Sequence, residues 1–290
     1  MTARTLDRAR LTFGGVLRSE WIKLVTLRST MWCYFIMIVI TIGLGFLLAA
    51  TGPAGFGGDD GGTMPAEAQQ ALWLQTATLG IGFTQLVTVV LGALVITGEY
   101  GTGMIRSTFA AVPTRLPALA AKALVFGTVT FLVGLVSIVA TAVLTATVLP
   151  ASGVHPDFGD ERVWVGALGG AGYLTLIGLL AMAIGTIIRN SAGGIAAGLG
   201  LVLVAPTVLQ IIAGVTGATW AQNLTSFLPS AAGGLMYGYP SDAADAAVPP
   251  GPPPIDDAIV LEPWQGLLVL AGWVVGLFIL AGVLLRRRDA

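Results

Sequence analysis

Six runs of apolar residues, each as long as a helix that crosses a bilayer, constrain this chain more than any other feature. They lie at about 31–50, 74–97, 123–149, 164–188, 192–215 and 266–285. A hydrocarbon core about 30 Å thick requires about 20 helical residues per crossing, and a helix satisfies its own backbone groups in lipid. The sequence therefore predicts an all-α integral membrane protein, with six transmembrane helices forming a single transmembrane domain over 1–290.

Composition agrees with this class of protein. Of the 290 residues, 55% are hydrophobic and 10% are charged, and the mean hydropathy is +0.87; soluble domains carry roughly 25% charged residues. The net charge of −1 does not indicate a nucleic-acid partner. About thirty polar and amphipathic residues precede the full-length first run, which favours a retained helix over a cleaved signal.

The charged residues divide sharply between the two sides of the bundle. With a cytoplasmic N-terminus, thirteen of the fourteen basic residues lie on the cytoplasmic side and only Arg162 lies outside. Eleven of the fifteen acidic residues lie outside. Because an excess of Lys and Arg marks cytoplasmic segments, we expect a multi-pass membrane protein with both termini in the cytoplasm.

The spans carry no evident machinery for catalysis or for ion-driven transport. No ionisable residue falls in the middle of any of the six runs, although carriers driven by ion gradients usually place one there. The single histidine, His155, and the single cysteine, Cys33, allow neither a Ser-His pair in the membrane nor a His- or Cys-based metal site. Neither lysine stands in a phosphate-binding loop. The sequence thus predicts no catalytic residue, metal or cofactor in this chain.

The segment at 98–122, "GEYGTGMIRSTFAAVPTRLPALAAK", is longer than a turn between two helices requires. Its three glycines are expected to interrupt the helix that leaves the membrane, and Pro113 and Pro117 to stop whatever forms next. Between them, the spacing predicts a helix of about three turns with Arg106 pointing away from its apolar side. That side carries Met104, Ile105, Thr108, Phe109 and Val112. The alternative is a solvated connector whose arginines only fix the topology.

A second amphipathic stretch, at 10–30, precedes the first run. Its apolar stripe recurs at i, i+4, i+8 and i+11 and comprises Phe13, Leu17, Trp21 and Leu24. This pattern is typical of an interfacial helix on the inner leaflet. Glu20 projects near the middle of the stripe, where a carboxylate needs a partner, and Lys23 at i+3 is the local candidate.

Two of these stretches together resemble the permease subunits of type-2 ABC exporters, especially actinobacterial ones. They are "RSEWIKLVTLRST" before the first run and "TGEYGTGMIRSTFAAVPTR" after the second, with weaker support from "LTSFLPSAAGGLMYG" in the last outer loop. The resemblance implies that 10–30 is the elbow helix and that 98–122 holds a coupling helix docked on an ATPase. The coupling role then falls on Glu99, Tyr100, Met104, Ile105, Arg106, Thr108 and Phe109.

The same resemblance implies partners and a route for cargo. Two copies of a separate ATPase subunit would hold the ATP and Mg²⁺, and the permease would pair with a second copy or a sister permease within membrane lipid. The second and fifth spans would line the path. The residues assigned to it are Ile81, Gln85, Thr88, Thr207, Gln210 and Gly214. Their alternative role is hydrogen bonding and packing between helices.

Two further features concern packing and the outer loops. Three G-x-x-x-G pairs permit close helix contact: Gly166 with Gly170, Gly194 with Gly198, and Gly272 with Gly276. The external segment 216–265 begins with residues apolar enough to turn back into the membrane and continues with a Pro-rich stretch that is expected to be extended.

The function predicted from these features is a permease that exports its substrate by alternating access, powered by a partner ATPase. A pathway without charges favours amphipathic or apolar cargo. A non-transporting membrane scaffold or binding subunit, or a membrane-embedded enzyme, are the alternatives. A neighbouring gene for an ATPase with a phosphate-binding loop would favour transport.

Overall fold

The computed structural model describes residues 12–51, 64–104, 116–240 and 259–287, and the regular elements in these ranges are all helical. An N-terminal helix, Phe13–Thr26, precedes six helices that are long and apolar enough to cross a membrane. These are spans one to six: Arg28–Thr51, Ala66–Gly101, Leu116–Ala146, Glu161–Ile188, Ser191–Thr216 and Pro263–Arg287. The prediction of an all-helical protein with six spans is confirmed.

Spans two and three extend beyond the apolar runs at the ends that flank 102–115. Span two stays helical through Gly98 to Gly101, and the chain turns at Gly103, whose φ is +72°. Span three begins at Leu116, so Pro117 lies in its first turn. Proline is tolerated there because the first N–H groups of a helix have no intrahelical partner. The expectation that Gly98 interrupts span two is therefore wrong, whereas the short helix that Pro113 and Pro117 are expected to stop lies outside the described residues.

Span four forms the centre of the bundle and packs against spans two and three. A Cβ built on Gly92 of span two would stand 2.2 Å from the carbonyl oxygen of Gly178, so the two backbones touch. Phe126 of span three and Ile177 of span four are fully buried beside this contact. Only glycine permits so close an approach, so these glycines set the spacing of the central helices.

The three G-x-x-x-G pairs have different roles in the structure. Gly166 and Gly170 pack against Leu74 and Ile81, and Gly194 and Gly198 lie against Gly185 and Val89. By contrast, nothing lies within 4 Å of a Cβ built on Gly272 or Gly276. The first two pairs are packing sites within the chain, whereas the third lies on an open face of span six.

Span five changes its helical period in the middle. An α-helix over Ser191–Leu199 passes into a π-helical turn over Gly200–Val204 and then into a second α-helix, Ala205–Thr216. The backbone N–H of Ala205 bonds to the carbonyl of Gly200, five residues back. Pro206 follows directly and has no N–H to donate, which accounts for a break in the α-helical ladder at this position.

The chain after span five returns among the helices before span six begins. It forms two short helices, Thr219–Ser226 and Pro229–Gly234, and a 3-10 turn, Leu235–Tyr237. Cβ atoms built on Gly169 and Gly266 would clash with the carbonyl oxygens of Met236 and Ala232. This returning segment, 219–237, therefore packs tightly between spans four and six.

Polar contacts join the first turn of span two and the start of span four to each other and to Tyr239. The guanidinium of Arg162 lies 2.9 Å from a carboxylate oxygen of Glu67, and the Tyr239 hydroxyl donates to Asp160 at 2.5 Å. Partial burial by itself raises the pKa of Asp160, but the hydrogen bonds from Tyr239 and Arg162 outweigh it and hold this pKa below its ordinary 3.8. Burial and the hydrogen bond to Asp160 raise the pKa of Tyr239 to about 12.

Candidate functional site

The N-terminal helix packs one face on the bundle and leaves the other open. The Thr12 hydroxyl caps it by accepting from Gly15 N–H, and the helix ends before Leu27, which is extended. The face toward the bundle recurs every four residues and comprises Val16, Glu20 and Leu24. The predicted stripe is therefore divided. Leu24 is buried and Leu17 is half-buried, whereas Phe13 and Trp21 are about half exposed.

Glu20 lies on the buried face because two ammonium groups meet it there. Lys23 Nζ is 2.7 Å from Glu20 Oε1, as the i+3 spacing predicted, and Lys122 Nζ is 2.5 Å from Glu20 Oε2. Both lysines also contact Glu99 Oε1, Lys23 at 3.0 Å and Lys122 at 2.9 Å. Two carboxylates and two ammonium groups thus form a closed ring, the four-charge cluster of Glu20, Lys23, Glu99 and Lys122.

The cluster is withdrawn from water. Glu20, Glu99 and Lys122 are 3%, 5% and 6% exposed, and only the side chain of Lys23 reaches the surface, at 25%. Burial alone lowers the pKa of Lys23, but its hydrogen bonds to Glu20 and Glu99 and their charges outweigh it, so this pKa is raised above 10.5. The four formal charges cancel, which is the condition under which burying them is tolerable.

The four residues of the cluster come from three different helices. Glu20 and Lys23 come from the N-terminal helix, Glu99 from the last turn of span two and Lys122 from the second turn of span three. The cluster therefore ties together the two ends of the segment that connects spans two and three, and holds both to the N-terminal helix. Glu99 is thus one of the buried residues that hold these elements together.

The remaining residues assigned to coupling lie beside the cluster or outside the described part of the chain. Tyr100 is half-buried, with the Arg189 guanidinium 5.5 Å from its ring centroid, and Met104 is 41% exposed. Outside the described residues lie Ile105, Arg106, Thr108 and Phe109. The partners of Glu99 in the described part of the chain are Lys23 and Lys122.

A cavity of about 410 Å³ opens beside the cluster. The four charged residues border it on one side. Its apolar walls come from the N-terminal helix, the bend that follows it, span two and span three, and include Leu24, Leu27, Leu94, Val95 and Val125. Glu99 Oε2 is buried and has no hydrogen-bond partner among the described residues.

The path residues predicted on span two lie inside this chain. Ile81 and Thr88 are fully buried, and their side chains pack beside Gly170 and Gly178 of span four. Gln85 is half-buried and its side-chain oxygen accepts a hydrogen bond from the Tyr173 hydroxyl of span four. In this arrangement all three serve contacts between helices of one bundle, which was the alternative role considered for them.

The path residues predicted on span five face outward. Thr207, Gln210 and Gly214 are exposed on a span with only 17% of its apolar window buried. The Thr207 hydroxyl donates to Leu203 O at 2.6 Å, and the Gln210 amide has no hydrogen-bond partner among the described residues. The two predicted sets therefore do not meet within one chain.

Sequence reasoning missed Lys122, which had been counted only as a marker of topology. Its partner Glu20 lies 102 positions away and its partner Glu99 lies 23 positions away. The one available signal was a lysine within the apolar stretch "LPALAAKALVF", since a charge so placed needs a partner. Within the described residues, no group of three or more His, Cys, Asp or Glu side chains could hold a metal ion.

Comparison with models of protein families gives a match over most of the chain. The family model described as "ABC-2 family transporter protein" matches residues 15–290, and so covers nearly the whole N-terminal helix and all six spans. None of the curated proteins matches the chain.

Proposed function

The chain belongs to the ABC-2 family of transporter proteins, and we propose that it is the permease of an ABC exporter that is driven by a separate ATPase. The family and the six spans make it a membrane transport subunit. Its single domain would move cargo by alternating access. ATP and Mg²⁺ would be held by two copies of the partner.

The four-charge cluster is the observation that supports this mechanism. It joins both flanks of 102–115 to the N-terminal helix through four contacts of 2.5–3.0 Å. Separating one member of such a buried group costs several kcal/mol, so the three elements should move as a unit. A push from the ATPase on the connecting segment would then displace spans two and three together.

The exposed face of span five, which points away from the rest of the bundle, is the proposed contact with a second permease. An amide that faces hydrocarbon without a partner costs roughly 2–7 kcal/mol, and Gln210 is exposed on an otherwise apolar surface. A facing copy or a sister permease would bury this face, and cargo passing between the two would meet Thr207, Gln210 and Gly214. In the same arrangement, the N-terminal helix would lie at the inner surface of the bacterial cell membrane with Phe13 and Trp21 in lipid.

Reconstitution tests the function directly. The purified chain is expected to hydrolyse no ATP by itself and to support ATP-dependent transport when the ATPase encoded beside it is added. Met104→Asp is expected to uncouple hydrolysis from transport or dissociate the complex, and Phe109→Asp should do the same. Met104→Leu is the matched control. Saturable ATP binding by the isolated chain, or normal transport by both aspartate variants, would contradict the proposal.

Orientation can be tested in whole cells. In a Cys33→Ser background, cysteines at Gly58 and Ser241 should react with an impermeant maleimide added outside, whereas a cysteine at Ser107 should react only after the cells are opened. Labelling at Ser107 in intact cells would refute cytoplasmic termini.

A further inference from the structure

A groove lies on the exposed surface of the molecule where the N-terminal helix bends into span one. It encloses about 480 Å³. Val25 and Thr26 line it from the N-terminal helix, and span one contributes Arg28, Met31, Trp32 and Phe35. Arg28, Trp32 and Phe35 follow one another at i, i+4 and i+7, which places them on one face of the span.

The depth of these residues follows from the length of span one. Its 24 residues, at about 1.5 Å each, extend about 36 Å, which exceeds a hydrocarbon core of about 30 Å. Arg28 is the first residue of the span and therefore lies at the level of the lipid headgroups. Trp32, one turn deeper, occupies the interfacial zone that tryptophan favours, and Phe35 lies beside the acyl chains.

The groove combines one cation with a large apolar surface. Arg28 is exposed and makes no ion pair with any carboxylate in the described part of the chain. Trp32 and Phe35 are 63% and 55% exposed, with their rings edge to face at 5.8 Å. The guanidinium fork matches a phosphate through two parallel hydrogen bonds, and the rings and Met31 match hydrocarbon.

We propose that this groove binds one anionic phospholipid, with its phosphate on Arg28 and an acyl chain along Met31, Trp32 and Phe35. The molecule would fill the bend between the N-terminal helix and span one and so steady the helix that carries Glu20 and Lys23 of the four-charge cluster. This inference depends on the chain being embedded in a membrane and is independent of the ATPase partner and of the orientation.

Native mass spectrometry of the purified full chain tests the site. Dioleoyl phosphatidylglycerol and dioleoyl phosphatidylcholine are added in equal amounts, so that the two lipids differ only in the headgroup. We expect phosphatidylglycerol to be retained in preference. Arg28→Gln should weaken its retention roughly fivefold, the share of one basic residue near an anionic lipid, and Trp32→Ala should weaken retention of both lipids.

Arg18→Gln is the matched control, since Arg18 is also exposed and lies on the N-terminal helix but does not line the groove. It should leave the preference unchanged, and the melting temperature of each variant in detergent verifies that it is folded. Equal binding of the two lipids to the wild type, or equal losses in Arg28→Gln and Arg18→Gln, would overturn the proposal. Displacement of the lipid by millimolar inorganic phosphate would overturn it too, by assigning the site to a free anion.

Discussion

Replacing Lys122 by methionine should show whether the four-charge cluster acts as one unit. The substitution removes contacts of 2.5 Å to Glu20 and 2.9 Å to Glu99. It leaves two carboxylates to share Lys23, which is 2.7 Å from one and 3.0 Å from the other. Removing one partner from a buried ion pair costs about 3–5 kcal/mol. Because Lys23 still contacts both carboxylates, we expect the lower end, about 3 kcal/mol, or a melting temperature lower by about 6–12 °C.

The decisive comparison is with a second substitution that restores the balance of charge. Glu99→Gln alone leaves Glu20 between two lysines and should cost less than Lys122→Met. The double variant retains the neutral Glu20–Lys23 pair and should recover about 2 kcal/mol relative to Lys122→Met, since exchanging a whole buried pair is far less costly than breaking it.

Thermal unfolding of the purified chain in one detergent, followed by tryptophan fluorescence, measures all three variants. Arg18→Met, a matched change at an exposed position, should stay within about 0.5 kcal/mol of the wild type. If the effects of Lys122→Met and Glu99→Gln simply add in the double variant, the charges are not coupled. The reasoning about a closed ring would then be refuted.

Two other substitutions test the packing of span six and the hydrogen bond between Tyr239 and Asp160. Gly266→Ala puts a Cβ 2.2 Å from the Ala232 carbonyl oxygen and should cost about 1–3 kcal/mol, whereas Gly272→Ala on the open face of the same helix should be neutral or stabilising; equal melting temperatures would contradict this difference. Tyr239→Phe removes the hydrogen bond that lowers the pKa of Asp160 and should lower the melting temperature by about 2–4 °C at neutral pH. A carboxyl group whose pKa is lowered in the folded state stabilises the fold above the unfolded-state value of 3.8, and this stabilisation is lost as pH falls through the folded-state pKa. The difference in melting temperature between wild type and Tyr239→Phe should therefore vanish in that acidic range. A difference in melting temperature that grows on acidification would contradict this explanation.

The six spans could be predicted because a membrane helix needs about 20 apolar residues. Such a run can be recognised without knowing which other helices pack against it. The ends were less predictable. Gly98 was expected to interrupt span two, yet this span stays helical as far as Gly101. The Glu20–Lys23 contact followed from local spacing.

The other half of the cluster could not be predicted in this way. Lys122 meets Glu20 across 102 positions, and only the assembled bundle brings them together. The same holds for the open pair Gly272 and Gly276, whose spacing is identical to that of pairs that are packed. Pattern alone cannot distinguish a face covered by its own chain from a face left free.

The π-helical turn in span five has a consequence for how this region can vary in length. Buried residues recur at intervals of four through this region: Gly194, Gly198, Val202 and Pro206. An unbroken α-helix repeats every 3.6 residues, so residues spaced by four would gradually move around its circumference. The extra residue of the turn keeps them on one side. Deleting any one residue within 200–204 would rotate the part of the span that follows the turn by about 100° relative to the part before it and would move Gln210 to a different face of the span. Sequence changes that preserve length should therefore be tolerated here better than single-residue insertions or deletions, the opposite of what is expected of the outer loops.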